Sequence, residues 1–155
     1  MTFFAGAYTF TLGGTLIGQT DDGIYLDLPD GLSPIKGDNM GTTIQDAIVR
    51  GDNAMVSAVL LPEVANQSAL LGYLWPNGSA FGTLDYIGRT VAKLSLVIAR
   101  LDAGTSAVPA SITASSGVTK SPGFKPRINL QSDYRRIPVS FMYYPSSGRV
   151  LLTIT

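Results

Sequence analysis

The sequence contains no cysteine and no histidine among its 155 residues. The chain therefore cannot form a disulfide, a thiol nucleophile, a Ser-His-Asp triad, a Cys/His zinc site or an imidazole general base. These absences exclude most common enzyme mechanisms. We expect a protein that is not an enzyme and that uses neither a metal nor a cofactor.

Charged side chains are also scarce, at 14% of the residues against a usual share of about 25%. Glu63 is the only glutamate in the sequence, and since glutamate and lysine usually fill exposed helix faces, long surface helices are excluded. The 17 glycines and nine prolines favour turns between strands. The composition predicts one mainly β domain over residues 1–155, with a low-charge surface that partners cover in part.

The net charge is zero, but the two halves of the sequence differ in sign. Residues 1–63 hold eight acidic and two basic side chains, a net charge of −6, whereas residues 64–155 hold nine basic and three acidic ones, a net charge of +6. One interpretation is that the halves interleave in one fold and their fields cancel. The other is that opposite faces carry opposite charge, which would suit head-to-tail stacking of identical copies.

Short β-branched or alternating runs, separated by Gly, Pro and Asp, predict several strands. They lie at residues 8–12, 15–17, 24–28 and 91–101. Between them, residues 20–23 are predicted to form an acidic turn. Residues 33–36 predict at most a short edge strand, because Pro34 has no amide hydrogen to donate.

Two longer β-hairpins are predicted. The first spans residues 42–61 and turns at residues 51–53, and the second joins residues 136–144 to 148–155 through residues 145–147. The faces of the first hairpin mix apolar and polar side chains. That pattern suits a strand pair that meets the core on one side and polar surroundings or another subunit on the other.

One α-helix is predicted over residues 63–74, packed on a sheet. Pro62 and Glu63 are typical of a helix start, and residues 76–78 end the helix. The apolar side chains at helical spacing, which we expect to form its core face, are Val64, Leu70, Leu71 and Leu74. Residues 64–84 are uncharged, but polar residues interrupt them, so we expect a helix and a loop rather than a membrane span. The first seven residues lack a basic region, and we expect a mature, cytoplasm-made N-terminus.

Several motifs allow a functional and a purely structural interpretation. Gly13, Gly14 and Gly18 would suit a phosphate cradle, but no Lys-Ser/Thr follows and no helix opens there, so we do not expect a nucleotide site. Trp75 with Tyr73 would suit a sugar site, although an aromatic side chain at a helix end is more often core. A basic cluster with nearby tyrosines resembles single-strand nucleic-acid binders, or else forms a solvated face or a subunit contact. Its members are Lys120, Lys125, Arg127, Arg135, Arg136, Arg149, Tyr134, Tyr143 and Tyr144.

Residues 103–119 contain no charge and are dominated by small residues. Such a segment has little apolar area to offset its ordering entropy in a lone subunit. The segment is interpreted as a strand with a mobile loop or as an extended edge hairpin. We expect it to be mobile in the lone subunit and ordered at a contact between subunits. Deletion of residues 105–117 should then leave the subunit folded.

An ordered series of segments leads to a family resemblance. It comprises a strand opening, a polar loop, a hairpin, a strand that enters a helix, the helix end and a closing hairpin. The corresponding residues are 20–24, 37–43, 47–54, 56–63, 70–74 and 136–141 with the strand after them. In this order they resemble the tail tube (major tail) proteins of tailed bacteriophages, over about two-thirds of the chain.

The resemblance implies an antiparallel β-sandwich with barrel-forming sheets and one flanking helix. It also implies that subunits close into a hexameric ring, with inner sheets merging into one barrel, and that rings stack into a tube through which DNA leaves the head. Gln45, Asp46 and Asp52 are then candidates for the lumen. With the charge asymmetry, the resemblance makes these residues candidates for subunit contacts: Asp21, Asp22, Arg127, Arg135 and Arg136.

The expected partners are further copies of the chain, a tape measure protein, and a tail sheath and tail-end proteins. Genomic DNA is expected only in transit, without sequence-specific binding, and no membrane is involved. The expected location is the virion tail, after assembly in the host cytoplasm. A head-to-tail connector or a tail-tip ring protein is the alternative among virion proteins. A carbohydrate-binding or adhesin β-sandwich is the alternative outside them.

Overall fold

The computed structural model describes residues 8–28, 31–36, 44–49, 54–75, 88, 90, 92–101, 111–125, 127 and 136–155. In these residues the prediction of a mainly β fold with one α-helix is confirmed. The strands are β1 (Tyr8–Leu12), β2 (Thr15–Asp27), β3 (Leu32–Lys36), β4 (Ile44–Val49), β5 (Met55–Pro62), β6 (Leu96–Arg100), β7 (Ser111–Ala114), β8 (Val118–Lys120), β9 (Ile137–Tyr143) and β10 (Leu152–Ile154). A 3-10 helix (Val64–Asn66) precedes helix α1 (Gln67–Leu74).

Eight of the strands form one antiparallel sheet in the order β10-β7-β6-β1-β2-β5-β9-β8, whereas β3 and β4 pair only with each other. The large sheet curls until Leu94, just before β6, reaches Val118 in β8. The amide of each residue donates to the carbonyl of the other, at 2.9 and 2.8 Å. This bridge closes the strands from β6 to β8 into a barrel, and the curled sheet thus supplies both walls of the core.

The first hairpin, β1-β2, turns at Gly13 and Gly14, as their sequence predicts. Both glycines have positive φ, 61° and 82°, which matches the twist of a two-residue hairpin loop. A Cβ atom on Gly13 would lie 2.8 Å from the Tyr73 hydroxyl. The glycine therefore also lets helix α1 pack directly on this turn.

The predicted acidic turn at residues 20–23 is wrong, because β2 runs through it without reversing. Asp21 pairs with Val59 and Ile24 pairs with Ala58, so two residues of β2 are inserted where β5 has none. The segment is a β-bulge, which bends and twists a strand and does not end it. The aspartate and glycine residues that suggested a turn in the sequence therefore form a β-bulge in the structure.

The predicted hairpin over residues 42–61 is also wrong. β4 pairs with β3, while β5 pairs with β2 on one edge and β9 on the other. The physical reason is the side-chain pattern: β5 alternates buried and half-buried residues along its central part and suits the middle of a sheet. The predicted short edge strand at residues 33–36 is confirmed as β3.

The predicted closing hairpin between residues 136–144 and 148–155 is also wrong. β9 lies between β5 and β8, and β10 pairs with β7. The chain does reverse after β9, where the amides of Ser146 and Arg149 form turn hydrogen bonds of 2.8 and 2.9 Å. Since both edges of β9 are already occupied, the returning chain continues to the edge of the sheet.

Helix α1 starts four residues later than predicted. The Glu63 amide, just after the end of β5, still donates to the Ile17 carbonyl of β2, at 2.9 Å. A 3-10 turn follows before the α-helix. Trp75 adopts an extended backbone, φ −76° and ψ 147°, as expected for a residue before proline. In the predicted apolar face, Leu70 and Leu74 are buried and Leu71 is half-buried; the side chain of Val64 lies outside the described ones.

Residues 111–119 form strand pairs within a single chain. β7 pairs with β6 and β10 within the same chain, and Ile112 and Val118 are buried. We expected these residues to become ordered only at a contact between subunits, and that expectation is wrong. Although small residues dominate the segment, the side chains of Ile112 and Val118 bury apolar area within the same chain. A deletion of residues 105–117 would remove part of the core.

The core fills the inside of the curled sheet, with helix α1 contributing two leucines. Phe10 and Phe141 lie at its centre, with ring centroids 6.0 Å apart. The largest fully buried side chains are Tyr143, Phe10, Phe141, Leu12, Ile17, Leu60, Leu70, Leu96, Ile98, Val56, Val118 and Val139. Residues between these on each strand face outward, and the candidate site is built from them.

Candidate functional site

The buried polar side chains of the described residues form structural hydrogen bonds. The hydroxyl of Thr20 accepts from the Tyr8 amide at 3.1 Å. The Ser121 and Ser140 hydroxyls lie 2.8 Å apart. The described residues contain no group of three or more carboxylate, imidazole or thiol side chains that could hold a metal. The features available for function therefore lie on the surface.

Tyr143 is the exception among the buried polar groups. Its side chain has no exposed surface, and its hydroxyl has no hydrogen-bond partner among the described residues. Burial raises the pKa of this phenol far above its ordinary value, because the low-dielectric interior disfavours the phenolate. Tyr143 was expected to belong to an exposed basic and aromatic cluster, and the structure places it in the core instead.

An open groove of about 300 Å³ crosses the outer face of β2, β5 and β9. Outward-facing residues of these strands form its floor, and Phe124 from the loop after β8 forms one wall. Its main lining residues are Asp21, Tyr25, Ser57, Val59, Phe124 and Pro138. Tyr25 is 64% exposed, which is unusual for a large aromatic side chain in the middle of a sheet. We call this surface the outer groove.

Asp21, which lines the outer groove, forms an ion pair with Arg136; both were expected to contact neighbouring subunits. Their register explains the contact, since Asp21 pairs with Val59 and Val59 pairs with Pro138, two residues beyond the arginine. The arginine side chain is 58% exposed, so the pair contributes at most about 1 kcal/mol. These two charges are therefore used within one chain.

The remaining predicted contact and lumen residues are not brought together in the described residues. Arg127 is exposed. Gln45 and Asp46 lie on β4, but their side chains, like that of Asp22, are outside the described ones. Arg135 and Asp52 are outside the described residues altogether.

The basic and aromatic cluster is partly occupied by contacts within the chain. The Lys120 ammonium donates to the Phe124 carbonyl at 3.0 Å. The Lys93 ammonium lies 4.9 Å from the centre of the Tyr144 ring, and the Tyr144 hydroxyl lies 2.9 Å from that of Thr119. A half-buried ring that already carries a cation on one face offers little of the stacking surface that single-stranded nucleic acid needs.

Within the described residues, the outer edge of β10, the last strand in the order, pairs with no other strand; we call it the open β10 edge. Residues 150–155 carry no charge and no proline, and Val150 and Ile154 are exposed. Natural proteins usually protect such an edge with charge, proline or a bulge. Thr155 and Ser111 exchange both backbone hydrogen bonds, at 3.0 and 2.9 Å, so in the alternating antiparallel pattern the backbone groups of Leu152 and Ile154 face away from β7.

Sequence reasoning missed the outer groove and the open edge. The alternation around Tyr25 and Asp27 was a usable signal, because it places both side chains on the outer face of β2. Phe124 had no such signal, since it reaches the groove from an irregular loop.

The described part of the chain contains no helix long and apolar enough to cross a membrane. A scan against protein-family models finds no match for this sequence, and a search of curated proteins finds none either.

Proposed function

We propose that this chain is a structural virion protein of the bacteriophage tail tube type, which assembles with copies of itself into stacked rings. The observation that carries the proposal is the open β10 edge, whose uncharged residues can pair with a strand of another chain. The curled antiparallel sheet with one flanking helix and the absence of histidine and cysteine from the sequence also support it. In this proposal the tube conducts DNA from the head, and a tape measure protein, a sheath and tail-end proteins are its further partners.

Electron microscopy of the purified protein tests the proposal directly. Long tubes of constant diameter are expected. Rings that never stack would favour a connector or tail-tip protein, and a monomer that binds a glycan would favour an adhesin-like β-sandwich.

The variant Ile154→Pro tests the role of the β10 edge. Proline at this position removes a backbone donor that faces away from β7, so the subunit keeps its own ladder while the free edge is blocked. The expected result is a folded subunit, by circular dichroism, that no longer forms tubes or rings. Ile154→Val is the matched control, because it keeps the donor and should keep assembly. Tubes of unchanged length from the proline variant would contradict the proposed role of this edge.

A further inference from the structure

The open β10 edge presents the backbone groups of two residues. The backbones of Leu151 and Thr155 bond toward β7 and the residue after it, at 2.9–3.1 Å. In the alternating antiparallel pattern, the amides and carbonyls of Leu152 and Ile154 therefore point away from β7. Within the described residues no strand pairs with them. Such an edge is a template for one further strand.

The turn before β10 limits how far this edge extends. The Val150 carbonyl accepts from the Ser146 amide at 2.8 Å, and the Val150 amide donates to the Ser146 hydroxyl at 3.3 Å. Both backbone groups of Val150 are thus used within the turn. The groups that a further strand can reach are those of Leu152 and Ile154.

The side chains of these two residues continue the apolar inner face of the sheet. Ile154 pairs with Ile112, which pairs in turn with Ile98, and the latter two are buried. Directly opposed residues share a face of the sheet, so Ile154 lies at the margin of the core, where it is 48% exposed. Leu152 packs against the core and is half-buried. A further strand with apolar side chains at these positions would cover both.

We propose that this further strand is β10 of a second copy of the chain, running antiparallel about a two-fold axis at Thr153. Centred there, Leu152 of each copy lies opposite Ile154 of the other, and every outward donor and acceptor of both strands gains a partner. A register centred on Leu152 would place Ile154 opposite Val150, whose groups are already used. A register centred on Ile154 would move Leu152 beyond the partner's β10.

The composition of the edge favours a copy of itself. A two-fold axis brings a short strand against its own equivalent, so a charged side chain there would meet a like charge. Residues 150–155 have no charged side chain. The axis is perpendicular to the sheet, so the apolar side chains of both copies also lie on the same face. The contact is short, and the pair therefore belongs to the weak class of interfaces.

This pairing uses the open β10 edge but does not depend on the proposed tube. Neighbours in a ring are related head to tail, so there β10 would meet a different strand, whereas a two-fold contact closes on two copies. The dimer is a form of the free subunit in which the edge is protected from other strands. It can be absent while tubes form, or present while they do not.

Cysteine cross-linking tests the pairing and its register, since the chain has no cysteine of its own. Thr153 is exposed and would face its own equivalent as a non-hydrogen-bonded pair, with Cα atoms about 4.5 Å apart, within the range of about 4.4–6.8 Å that disulfides span. Thr153→Cys, oxidised with copper phenanthroline at about 0.1 mM protein, is expected to form linked dimers about tenfold faster than Thr113→Cys.

Thr113→Cys is the matched control, because Thr113 is the ladder partner of Thr153 on β7 and is also exposed. It would lie three strand spacings, about 14 Å, from its equivalent. Thr155→Cys tests the register: it would lie opposite Leu151 and about 14 Å from its own equivalent, so it should link as slowly as the control. Adding Ile154→Pro to Thr153→Cys removes an outward donor and should slow linking to the control rate, whereas adding Ile154→Val should not.

Sedimentation equilibrium of the wild-type chain is expected to show a monomer–dimer equilibrium that added salt does not weaken, because no charges meet across the axis. A chain that stays monomeric up to about 1 mM would overturn the proposal. So would Thr153→Cys linking no faster than the control, Thr155→Cys linking as fast as Thr153→Cys, or a folded proline variant that links as fast as Thr153→Cys alone. Circular dichroism on every variant separates a loss of pairing from a loss of folding.

Discussion

Replacing Tyr143 by phenylalanine removes the one buried side-chain polar atom of the described residues that has no hydrogen-bond partner. An unsatisfied buried hydroxyl costs about 1–3 kcal/mol, since it gives up its bonds to water and gains none. Part of this gain is offset by the small void that the missing oxygen leaves. Tyr143→Phe is therefore expected to stabilise the fold by about 1 kcal/mol at neutral pH.

The same substitution changes how stability depends on alkaline pH. Burial raises the pKa of Tyr143 in the folded state, whereas in the unfolded chain the phenol titrates near its ordinary pKa of about 10. Above that pH the unfolded state loses a proton that the folded state keeps, so the free energy of unfolding falls as pH rises. For this one group the loss reaches about 1.4 kcal/mol by pH 11.

Urea unfolding of the wild type and Tyr143→Phe at neutral pH and at several alkaline values measures both effects. The difference between the two proteins isolates Tyr143 from the other tyrosines and the lysines. Tyr25→Phe, which removes the same hydroxyl from an exposed ring, should change neither quantity. Destabilisation by more than about 1 kcal/mol at neutral pH, or an unchanged alkaline loss, would refute the reasoning, because the hydroxyl would then have a partner.

Two further predictions concern packing. Leu70→Ala should lower the free energy of unfolding by about 2–5 kcal/mol, because Leu70 is fully buried on the inner face of helix α1. Leu71→Ala, at the half-buried position beside it, should lower the free energy of unfolding clearly less. Equal losses would show that the helix packs on the sheet in a different orientation. Gly18→Ala should destabilise the fold by several kcal/mol, roughly as in other overpacked sites, because its Cβ would lie 2.3 Å from the Leu61 carbonyl oxygen and 2.8 Å from the Cα of Pro62. Gly148→Ala is its steric control, because its backbone has no positive φ and its added carbon would meet only the Ser146 hydroxyl, at 3.8 Å. A Gly18→Ala protein as stable as the wild type in thermal melts would contradict the predicted overlap.

The sequence predicted where the strands and the helix lie better than it predicted which strands pair with each other. Alternation and turn residues located most strands and the helix, because these signals are local. Which strands pair depends on competition for free strand edges in the folded chain. A sequence pattern suggests only that segments next to each other in the chain pair as hairpins. β5 and β9 lie beside each other although their residues are about 80 positions apart, Ser57 pairing with Ser140.

The candidate site was predictable only in part. Asp21 and Arg136 were predicted as contact residues from the family resemblance and the charge asymmetry, but only the strand register shows that they pair with each other within a single chain. Three strands and a loop together form the outer groove, so the pattern of no single segment predicts it. The open β10 edge was hidden because the closing hairpin was expected to pair with β9.

Within the described residues, the closure of the barrel rests on the two hydrogen bonds between Leu94 and Val118, whereas the neighbouring strand pairs hold longer ladders. Opening this seam costs little pairing, since β8 stays attached to β9 through three residues. We therefore expect native-state fluctuations that expose the core to begin at this bridge, while the other strand pairs stay formed. Exchange of the Leu94 and Val118 amides with solvent deuterium reports that breathing motion separately from global unfolding.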